Sequence, residues 1–297
     1  MLNHLKTALL LGLLTGVLVV AGRLLGGNQG MILAFGVAVA MNFGAYWFSD
    51  KVLLRMYGAR EIGPSDAPEI WEMVTELSQR AKLPMPKVYI LPQTGANAFA
   101  TGRNPEHAAV AVTAGILEIL TSDQLRGVLA HELGHVKNGD ILISTIAATM
   151  AGAISMLANM AQWGLIFGGG RSDGERGGNP IGLLATLIVA PLAATIIQLA
   201  ISRSREYGAD AYGAELVGDG RPLAEALQQL ERGNEIRPTN AQPSTAHLFI
   251  VSPLTGRGIA TLFRTHPRTE DRIQRLLAMD RTRPTPSPFG IRPRTLA

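Results

Sequence analysis

The sequence predicts a membrane protein of mixed α+β class, with a small sheet, one well-delimited helix and two apolar helical hairpins. Three observations indicate this class: four long segments without Asp, Glu, Lys or Arg, several short β-branched stretches bounded by Pro and Gly, and one helix with clear start and stop signals. Hydrophobic residues make up 47% of the 297 residues and charged residues only 17%. Soluble proteins contain roughly 25% charged residues, so this composition favours a membrane protein.

The four apolar segments are predicted to form two transmembrane hairpins. They cover residues 7–22, 24–49, 141–170 and 177–202, and a membrane helix needs about 20 residues. The alternative, four core helices of a soluble protein, is disfavoured because such helices normally carry a polar stripe. The connections RLLGGNQG and GGGRSDGERGGNP are too short to hold a domain and are typical of exposed turns.

Basic residues near the ends of these segments predict the orientation of the chain. The positive-inside rule assigns the side with more Lys and Arg to the cytoplasm. We therefore expect both termini and the polar regions to be cytoplasmic. This bias and a basic C-terminal tail also explain the net charge of +4, so no nucleic-acid partner is expected. The cytoplasmic set is Lys6, Lys51, Arg55, Arg60, Lys137, Arg203 and Arg205, and the opposite set is Arg23, Arg171 and Arg176.

Four regions follow from this pattern. Residues 1–50 form an N-terminal transmembrane hairpin, and residues 51–140 form the first part of a cytoplasmic domain. Residues 141–202 form a second hairpin that crosses or associates with the membrane, and residues 203–297 form the second part of the domain. The polar domain is thus assembled from two separate parts of the chain.

The sequence predicts the helices and strands of the first polar region, residues 51–140. Ser65 or Asp66 can cap a helix that carries Ile70, Val74, Leu77 and Ala81 on one side. The stretches PKVYILP, ANAFATG and HAAVAVTAG are predicted to be strands because they are apolar, β-branched and bounded by Pro and Gly. Thr121 and Gln124 have the spacing of a capping box, and Gly139 is a stop signal. The intervening helix contains the segment HELGH.

The segment HELGH at 131–135 is the main candidate for chemistry. Four residues turn an α-helix through about 400°, so His131 and His135 project from one face with Cβ atoms about 6 Å apart. That spacing suits two imidazole nitrogens that bind one zinc ion. Glu132 is rotated by about 100° and can act as a general base on a water molecule at the metal. HExxH is a signature of zinc proteases, but a helix whose histidines only form hydrogen bonds is the alternative.

A catalytic zinc ion needs a third protein ligand, because its fourth position is kept for water. The segment SREYGAD at 204–210 offers Glu206 as that ligand, with Asp210 four residues later on the same helix face. Asp210 can hydrogen-bond the distal nitrogen of one of the two histidines and fix its tautomer. A surface Glu and Asp on an amphipathic helix is the alternative. One Zn²⁺ ion per chain is the expected cofactor.

Four motifs in order, NAFATG, HELGHVKNGD, SREYGAD and THPRTEDRI, carry a family resemblance. Set among four apolar segments, they resemble HtpX-type membrane-embedded zinc metalloproteases, in the gluzincin peptidase family that also contains CAAX prenyl endopeptidases. The resemblance implies a zincin-like metalloprotease domain with a small sheet and an active-site helix. It further implies a stress-associated endopeptidase of the bacterial inner membrane that cleaves misfolded or damaged membrane proteins. The CAAX-type enzymes have more membrane spans than this chain can form.

The resemblance also assigns roles beyond the zinc ligands. A strand beside the zinc commonly pairs with the extended backbone of a substrate, although an ordinary sheet strand is the alternative. His266 matches a family position near the active site, and Arg272 lies in the same motif, so either residue could stabilise the oxyanion. The edge-strand positions are Asn97, Ala98, Phe99 and Ala100.

Two other functions remain open from the sequence. A zinc-binding but inactive scaffold or adaptor for membrane clients has the same fold, and the presence of Glu132 disfavours it. A small transporter is disfavoured because transporters place ionisable groups inside their spans, and the four apolar segments contain no charged residue. The chain has no cysteine, which excludes thiolate metal sites and a cysteine nucleophile. The oligomeric state is not indicated.

Overall fold

A computed structural model of the chain describes residues 2–151, 203–236, 245–251 and 267–282. Its first element, α1 (Leu2–Met56), is interrupted at Gly26 and Gly27, where the backbone leaves helical geometry and Gly27 adopts a φ of 61°. The two halves of α1 then approach closely. A Cβ atom on Gly22 would lie 2.5 Å from the carbonyl oxygen of Gly30, so this crossing requires glycine. The two halves of α1 are therefore a pair of packed helices, and their crossing of a membrane as a hairpin stays a prediction.

One of these two helices is long enough to span a membrane. Among the described residues, Gly26–Met56 is the one helix long and apolar enough to cross a membrane. Leu5–Val20 and Ile141–Ala151 are shorter apolar helices. Most of the second predicted hairpin, including residues 152–202, lies outside the described residues. Its crossing of the bilayer therefore stays a prediction.

The remaining elements form a mixed domain around a small sheet. The strands are β1 (Arg60–Ile62), β2 (Lys87–Leu91), β3 (Ala98–Gly102) and β4 (Ala108–Thr113). Short 3₁₀ turns cover Pro105–His107 and Ala246–Leu248. The helices are α2 (Pro68–Ala81), α3 (Ala114–Ile119), α4 (Ser122–Asn138), α5 (Ile141–Ala151), α6 (Arg203–Val217), α7 (Arg221–Ile236) and α8 (Thr269–Thr282).

The start of α2 differs from its predicted cap. Pro68 is the first helical residue and Ala67 takes the N-cap position without a side-chain hydrogen bond. The carboxylate of Asp66 instead accepts a hydrogen bond of 2.8 Å from the backbone N–H of Gly63. Proline needs no partner for its missing N–H, so the helix starts there without a capping side chain. The predicted apolar face is buried as expected at Ile70, Val74, Leu77 and Ala81.

All three predicted strands are present in a four-stranded sheet of order β1-β2-β4-β3. Strands β2 and β4 are parallel, and the other two pairs are antiparallel. The order leaves β3 at one edge. All five of its residues are buried because helices cover both faces of the sheet.

Each face of the sheet has its own hydrophobic core. Val88, Val110 and Ala100 belong to the cluster that packs against α2 and α4. Alternate positions such as Phe99 and Ala111 belong to a second cluster with Leu53 and Leu54 at the end of α1, Ala148 of α5 and Leu248. Helix α1 therefore does not end at the predicted boundary near residue 50 but continues into the domain and packs on the sheet.

Candidate metal centre and active site

Helix α4 presents the two histidines of the predicted motif. The helix begins with the predicted capping box, in which Thr121 and Gln124 bond each other's backbone, and ends at Gly139 in the left-handed conformation. The Nε2 atoms of His131 and His135 face each other at 3.2 Å. His131 is 1% exposed. The helical spacing thus aims both rings at one point inside the protein.

Helix α6 brings Glu206 to the same point across a close helix–helix contact. A Cβ atom on Gly213 would lie 2.9 Å from the backbone nitrogen of His131, so the absence of a side chain there lets α6 approach α4. The carboxylate oxygens of Glu206 lie 3.9 Å from Nε2 of His131 and 3.6 Å from Nε2 of His135. The three donor groups all lie within 4.8 Å of one another.

These separations match what a tetrahedral zinc site requires. Ligand atoms about 2.1 Å from one ion at tetrahedral angles are about 3.4 Å apart. The 3.2 Å between the two Nε2 atoms is close to that value. Oε2 of Glu206 lies 3.9 Å from Nε2 of His131 and Oε1 of Glu206 lies 3.6 Å from Nε2 of His135, so either oxygen is near the same point. Two imidazoles and one carboxylate are also a donor set that zinc favours at catalytic sites. The residues therefore fit a zinc ion.

Asp210 contacts the outer nitrogen of His131. Its Oδ1 atom lies 2.9 Å from Nδ1 of His131, a hydrogen-bond distance, although the ring N–H is not well aligned with that oxygen. A small rotation of the ring brings the N–H into line with that oxygen. Burial lowers the pKa of His131 and outweighs the opposing effect of Asp210. The ring is therefore held neutral, as a metal ligand requires.

Arg272 of α8 is fully buried beside this pair. Its guanidinium group donates two hydrogen bonds to Asp210, at 2.8 and 2.7 Å, and lies 3.8 Å from Glu206. Burial alone would raise the pKa of Asp210, but Arg272 and His131 lower it to about 2. The same guanidinium donates a 2.6 Å hydrogen bond to the backbone carbonyl of Ile250. Sequence reasoning had offered Arg272 for the oxyanion and had not indicated these contacts.

Asp140 is a second carboxylate that the sequence did not connect with the site. Its Oδ2 atom lies 3.2 Å from Nδ1 of His135, because the left-handed turn at Gly139 brings the chain back over the end of α4. Burial alone would lower the pKa of His135, but Asp140, Glu206 and Glu132 together raise it to about 9. The sequence signal was present as an acidic residue directly after the helix stop.

Glu132 faces the edge strand of the sheet. Its Oε2 atom accepts a 2.8 Å hydrogen bond from the backbone N–H of Ala100. Burial raises the pKa of Glu132 to about 7, with the charges of His135 and Glu206 acting in opposite directions. The carboxylate is therefore oriented by β3 and has a proton affinity suited to accepting and releasing a proton near neutral pH.

Residues 245–251 form the opposite wall of the cleft. The backbone N–H of Ile250 donates a 3.2 Å hydrogen bond to Oδ1 of Asn97, just before β3. Nε2 of His247 lies 3.1 Å from the carbonyl oxygen of Ser144. The space beside Glu132 is about 40 Å³. That volume holds about three water molecules.

The structure brings most of the predicted site residues together, and one of them lies outside the described residues. His131, Glu132, His135, Glu206, Asp210 and Arg272 come together from three helices, α4, α6 and α8. Asn97, Ala98, Phe99 and Ala100 lie at or just before the edge strand. His266 lies outside the described residues.

Comparisons with known proteins give the family of the chain. The model of the family described as Peptidase family M48 matches residues 64–280. A Protease HtpX homolog of Syntrophobacter fumaroxidans is 55% identical over 280 residues, which is 93% of this chain and 99% of that protein. Homologs of the same name from Desulforapulum autotrophicum and Persephonella marina are each 56% identical; the matches cover 92% and 94% of this chain, and 89% and 98% of those proteins.

Among solved structures, the chain is similar to the crystal structure of S. mikatae Ste24p. The superposition has a TM-score of 0.49 with 17% sequence identity, and it covers 93% of this chain and 65% of that chain.

Proposed function

The chain belongs to peptidase family M48 and is an HtpX-type membrane metalloprotease, and from this premise we propose that it is a zinc-dependent endopeptidase of misfolded or damaged membrane proteins. The observation that carries the proposal is the trio His131, His135 and Glu206, whose ligand atoms all lie within 4.8 Å of one another with the two Nε2 atoms 3.2 Å apart, which suits one zinc ion. Zinc would polarise the scissile carbonyl and acidify water.

Glu132 is the general base in the proposed reaction. A water molecule in the cleft attacks the scissile carbonyl, Glu132 takes its proton, and the same carboxyl group later gives the proton to the leaving amine. A pKa raised to about 7 by burial supports both transfers. The hydrogen bond from the N–H of Ala100 holds one oxygen of the carboxylate in a fixed direction. No covalent enzyme intermediate is required.

Asp210, Asp140 and Arg272 orient the ligands in this proposal. Asp210 and Asp140 contact the outer nitrogens of His131 and His135, which fixes the tautomers that leave both Nε2 atoms free to bind zinc. Arg272 is engaged with Asp210 and with the carbonyl oxygen of Ile250. We therefore assign Arg272 to ligand positioning and leave the oxyanion to His266 as the remaining candidate.

The edge strand supports a preference for unfolded substrates. The backbone N–H of Thr113 donates a 2.9 Å hydrogen bond to the carbonyl oxygen of Asn97, in line with the ladder between β3 and β4. Because bonded residues alternate along an antiparallel pair, the peptide groups of Ala98 and Ala100 point away from β4. The N–H of Ala100 binds Glu132, while the other outward groups can pair with an extended chain. Backbone pairing selects extended conformation with little sequence preference.

Localisation follows the same proposal. We place both termini and the zinc site on the cytoplasmic side of the bacterial inner membrane, because basic residues near the apolar segments are concentrated on that side. The exposed apolar surface of Gly26–Met56 supports membrane insertion. Two complete hairpins would give a multi-pass protein.

Digestion of an unfolded test protein by the purified full-length chain in detergent tests the proposal. Glu132→Gln should slow cleavage by about 10²–10⁴-fold while zinc remains bound, because it removes the base and no ligand. Glu72→Gln changes an exposed glutamate of α2 and is the matched control. Full activity in Glu132→Gln would exclude Glu132 as the base. Full activity in chelator-treated protein without bound zinc would exclude the metal mechanism. An inactive scaffold would show no cleavage in wild type.

A further inference from the structure

The C-terminal half of α1 carries a continuous apolar surface that ends in an aromatic group. Large apolar side chains are exposed from Ile32 to Phe48. Tyr46 and Trp47 contact each other with ring centroids 5.3 Å apart, and Phe43 lies 6.1 Å from Trp47. The first charged residues, Asp50 and Lys51, follow directly. Aromatic residues between an apolar stretch and charged residues are typical of the level of lipid headgroups.

The turn between β3 and β4 touches this aromatic group. The guanidinium carbon of Arg103 lies 4.9 Å from the ring centroid of Trp47. This is a cation–π contact between the catalytic domain and α1. Lys51 lies 5.7 Å from the ring of Phe48, so a second cation is close to the same group. Two positive charges therefore lie at the end of the exposed apolar surface.

The turn itself has a defined shape. Gly102 has a φ of 136°, and a Cβ atom there would lie 2.3 Å from the carbonyl oxygen of His107, so glycine is required. Oδ1 of Asn104 lies 2.7 Å from Nδ1 of His107. Thr101 contacts Thr145 of α5 at 2.8 Å. These contacts fix the direction in which Arg103 leaves the sheet.

We propose that the segment Gly102–His107, which we call the β3–β4 turn, is a membrane-surface contact in which Arg103 and Lys51 bind the phosphate groups of phospholipids. The inference rests on the proposed insertion of α1 in the bilayer. Direct contact with the cationic groups of Arg103 and Lys51 favours lipid phosphate over an apolar protein partner. Asp50 and Glu106 balance the formal charge of these two cations, so the proposal rests on that direct contact and not on net charge.

This contact would hold the catalytic strand at the bilayer surface. Trp47 and Leu53 are six residues apart on one helix, which corresponds to about 9 Å, and Leu53 packs in the same core as Phe99 of β3. Ala100, next along the strand, binds Glu132. We therefore infer that the favoured cleavage sites are juxtamembrane segments of unfolded membrane proteins.

Spin labelling measures the contact without requiring activity. The chain has no cysteine, so Glu106→Cys provides a single labelling site in the full-length protein. The label is measured in vesicles of phosphatidylcholine and phosphatidylglycerol that contain a nickel-chelating headgroup lipid. We expect nickel to relax the label at residue 106 strongly. A label at Gln228→Cys, an exposed control position on α7, should show only weak relaxation. Equal, water-like relaxation at both positions would overturn the proposal, as would spin–spin broadening from a second copy covering the turn.

Cleavage assays then test whether the contact serves substrate selection. Arg103→Gln should slow cleavage of a reporter tethered to anionic vesicles by about fivefold, because one basic contact is lost. Digestion of a soluble unfolded protein in detergent should be unchanged, which separates this inference from failure of the zinc mechanism. Arg103→Lys should retain most of the tethered rate. Equal losses on tethered and soluble substrates would assign Arg103 to fold stability and overturn the lipid role.

Discussion

The α1 hairpin and the zinc-site helices distribute polar and apolar groups in opposite ways. In α1, Leu33 is 71% exposed. The polar side chains of Asn42 and Thr15 instead hydrogen-bond each other between the two packed helices. In the zinc site, Arg272 is 1% exposed and is surrounded by carboxylates. The comparison shows that one chain is built for two solvents. Apolar surface faces outward where lipid is expected, and charge is buried only where opposite charge and hydrogen bonds compensate for lost hydration.

The largest expected effect comes from removing the buried cation of the zinc site. Arg272→Met leaves Asp210 buried without the guanidinium that pairs with it, so we expect the zinc-free protein to lose about 3–5 kcal/mol of unfolding free energy. Arg126→Met is the control, because Arg126 pairs with the exposed Glu76 and surface pairs contribute about 0–1 kcal/mol. Urea unfolding in detergent measures both. Equal losses of unfolding free energy in the two variants would show that burial does not determine how much an ion pair stabilises this protein.

Glycine substitutions compare the packing of the two regions directly. Gly213→Ala puts a methyl group against the backbone of His131, so we expect a loss of about 1–3 kcal/mol and weaker zinc binding as α6 moves away from α4. Gly36→Ala lies on the outer face of α1, where a Cβ atom meets nothing within 4 Å. It should be neutral or slightly stabilising. Zinc titration of both variants is the measurement, and unchanged zinc affinity in Gly213→Ala would contradict the close-approach argument.

Zinc binding should depend on pH because the carboxylates around His135 hold a proton there. The pKa of His135 is raised above its ordinary 6.5 to about 9 in the metal-free protein, so zinc must displace that proton below pH 9. Affinity should rise by about tenfold per pH unit, or about 1.4 kcal/mol, between pH 6.5 and 9 and then level off.

Asp140→Asn should shift the start of this plateau to lower pH, because the variant removes a carboxylate that raises the pKa of His135. Asp123→Asn, at an exposed position in the first turn of α4, should not. Calorimetry in buffers of different ionisation enthalpy counts the protons released. Zinc affinity independent of pH across this range would show that His135 is not protonated in the metal-free state.

The smallest expected effect lies inside the hairpin. The side-chain amide of Asn42 donates to the hydroxyl of Thr15 at 2.8 Å and to the carbonyl of Leu11 at 3.2 Å. Hydrogen bonds between membrane helices contribute about 0.6 kcal/mol on average. A double-mutant cycle with Asn42→Leu and Thr15→Val, measured by detergent-induced unfolding, should give a coupling near that value. Zero coupling would mean that glycine packing alone joins the two helices.

The local elements were predictable because their signals lie within a few residues. The capping box at Thr121 and the stop at Gly139 delimit α4 in sequence and in structure. The three long strands also follow from β-branched stretches bounded by Pro and Gly. The predicted cap of α2, Ser65 or Asp66, was wrong. Pro68 starts that helix, and the carboxylate of Asp66 accepts a hydrogen bond from Gly63 instead. Such short polar side chains have several backbone partners within reach, and the sequence does not select among them.

The sequence by itself determined the zinc ligands as candidates, the helix that carries two of them and the apolar segments, because helical periodicity and hydropathy act over neighbouring residues. Only the tertiary structure decided that Arg272 contacts Asp210, that Asp140 contacts His135 and that Ala100 orients Glu132. These contacts join residues from different elements. Their geometry depends on how closely α4, α6, α8 and β3 pack, and no local pattern encodes that distance.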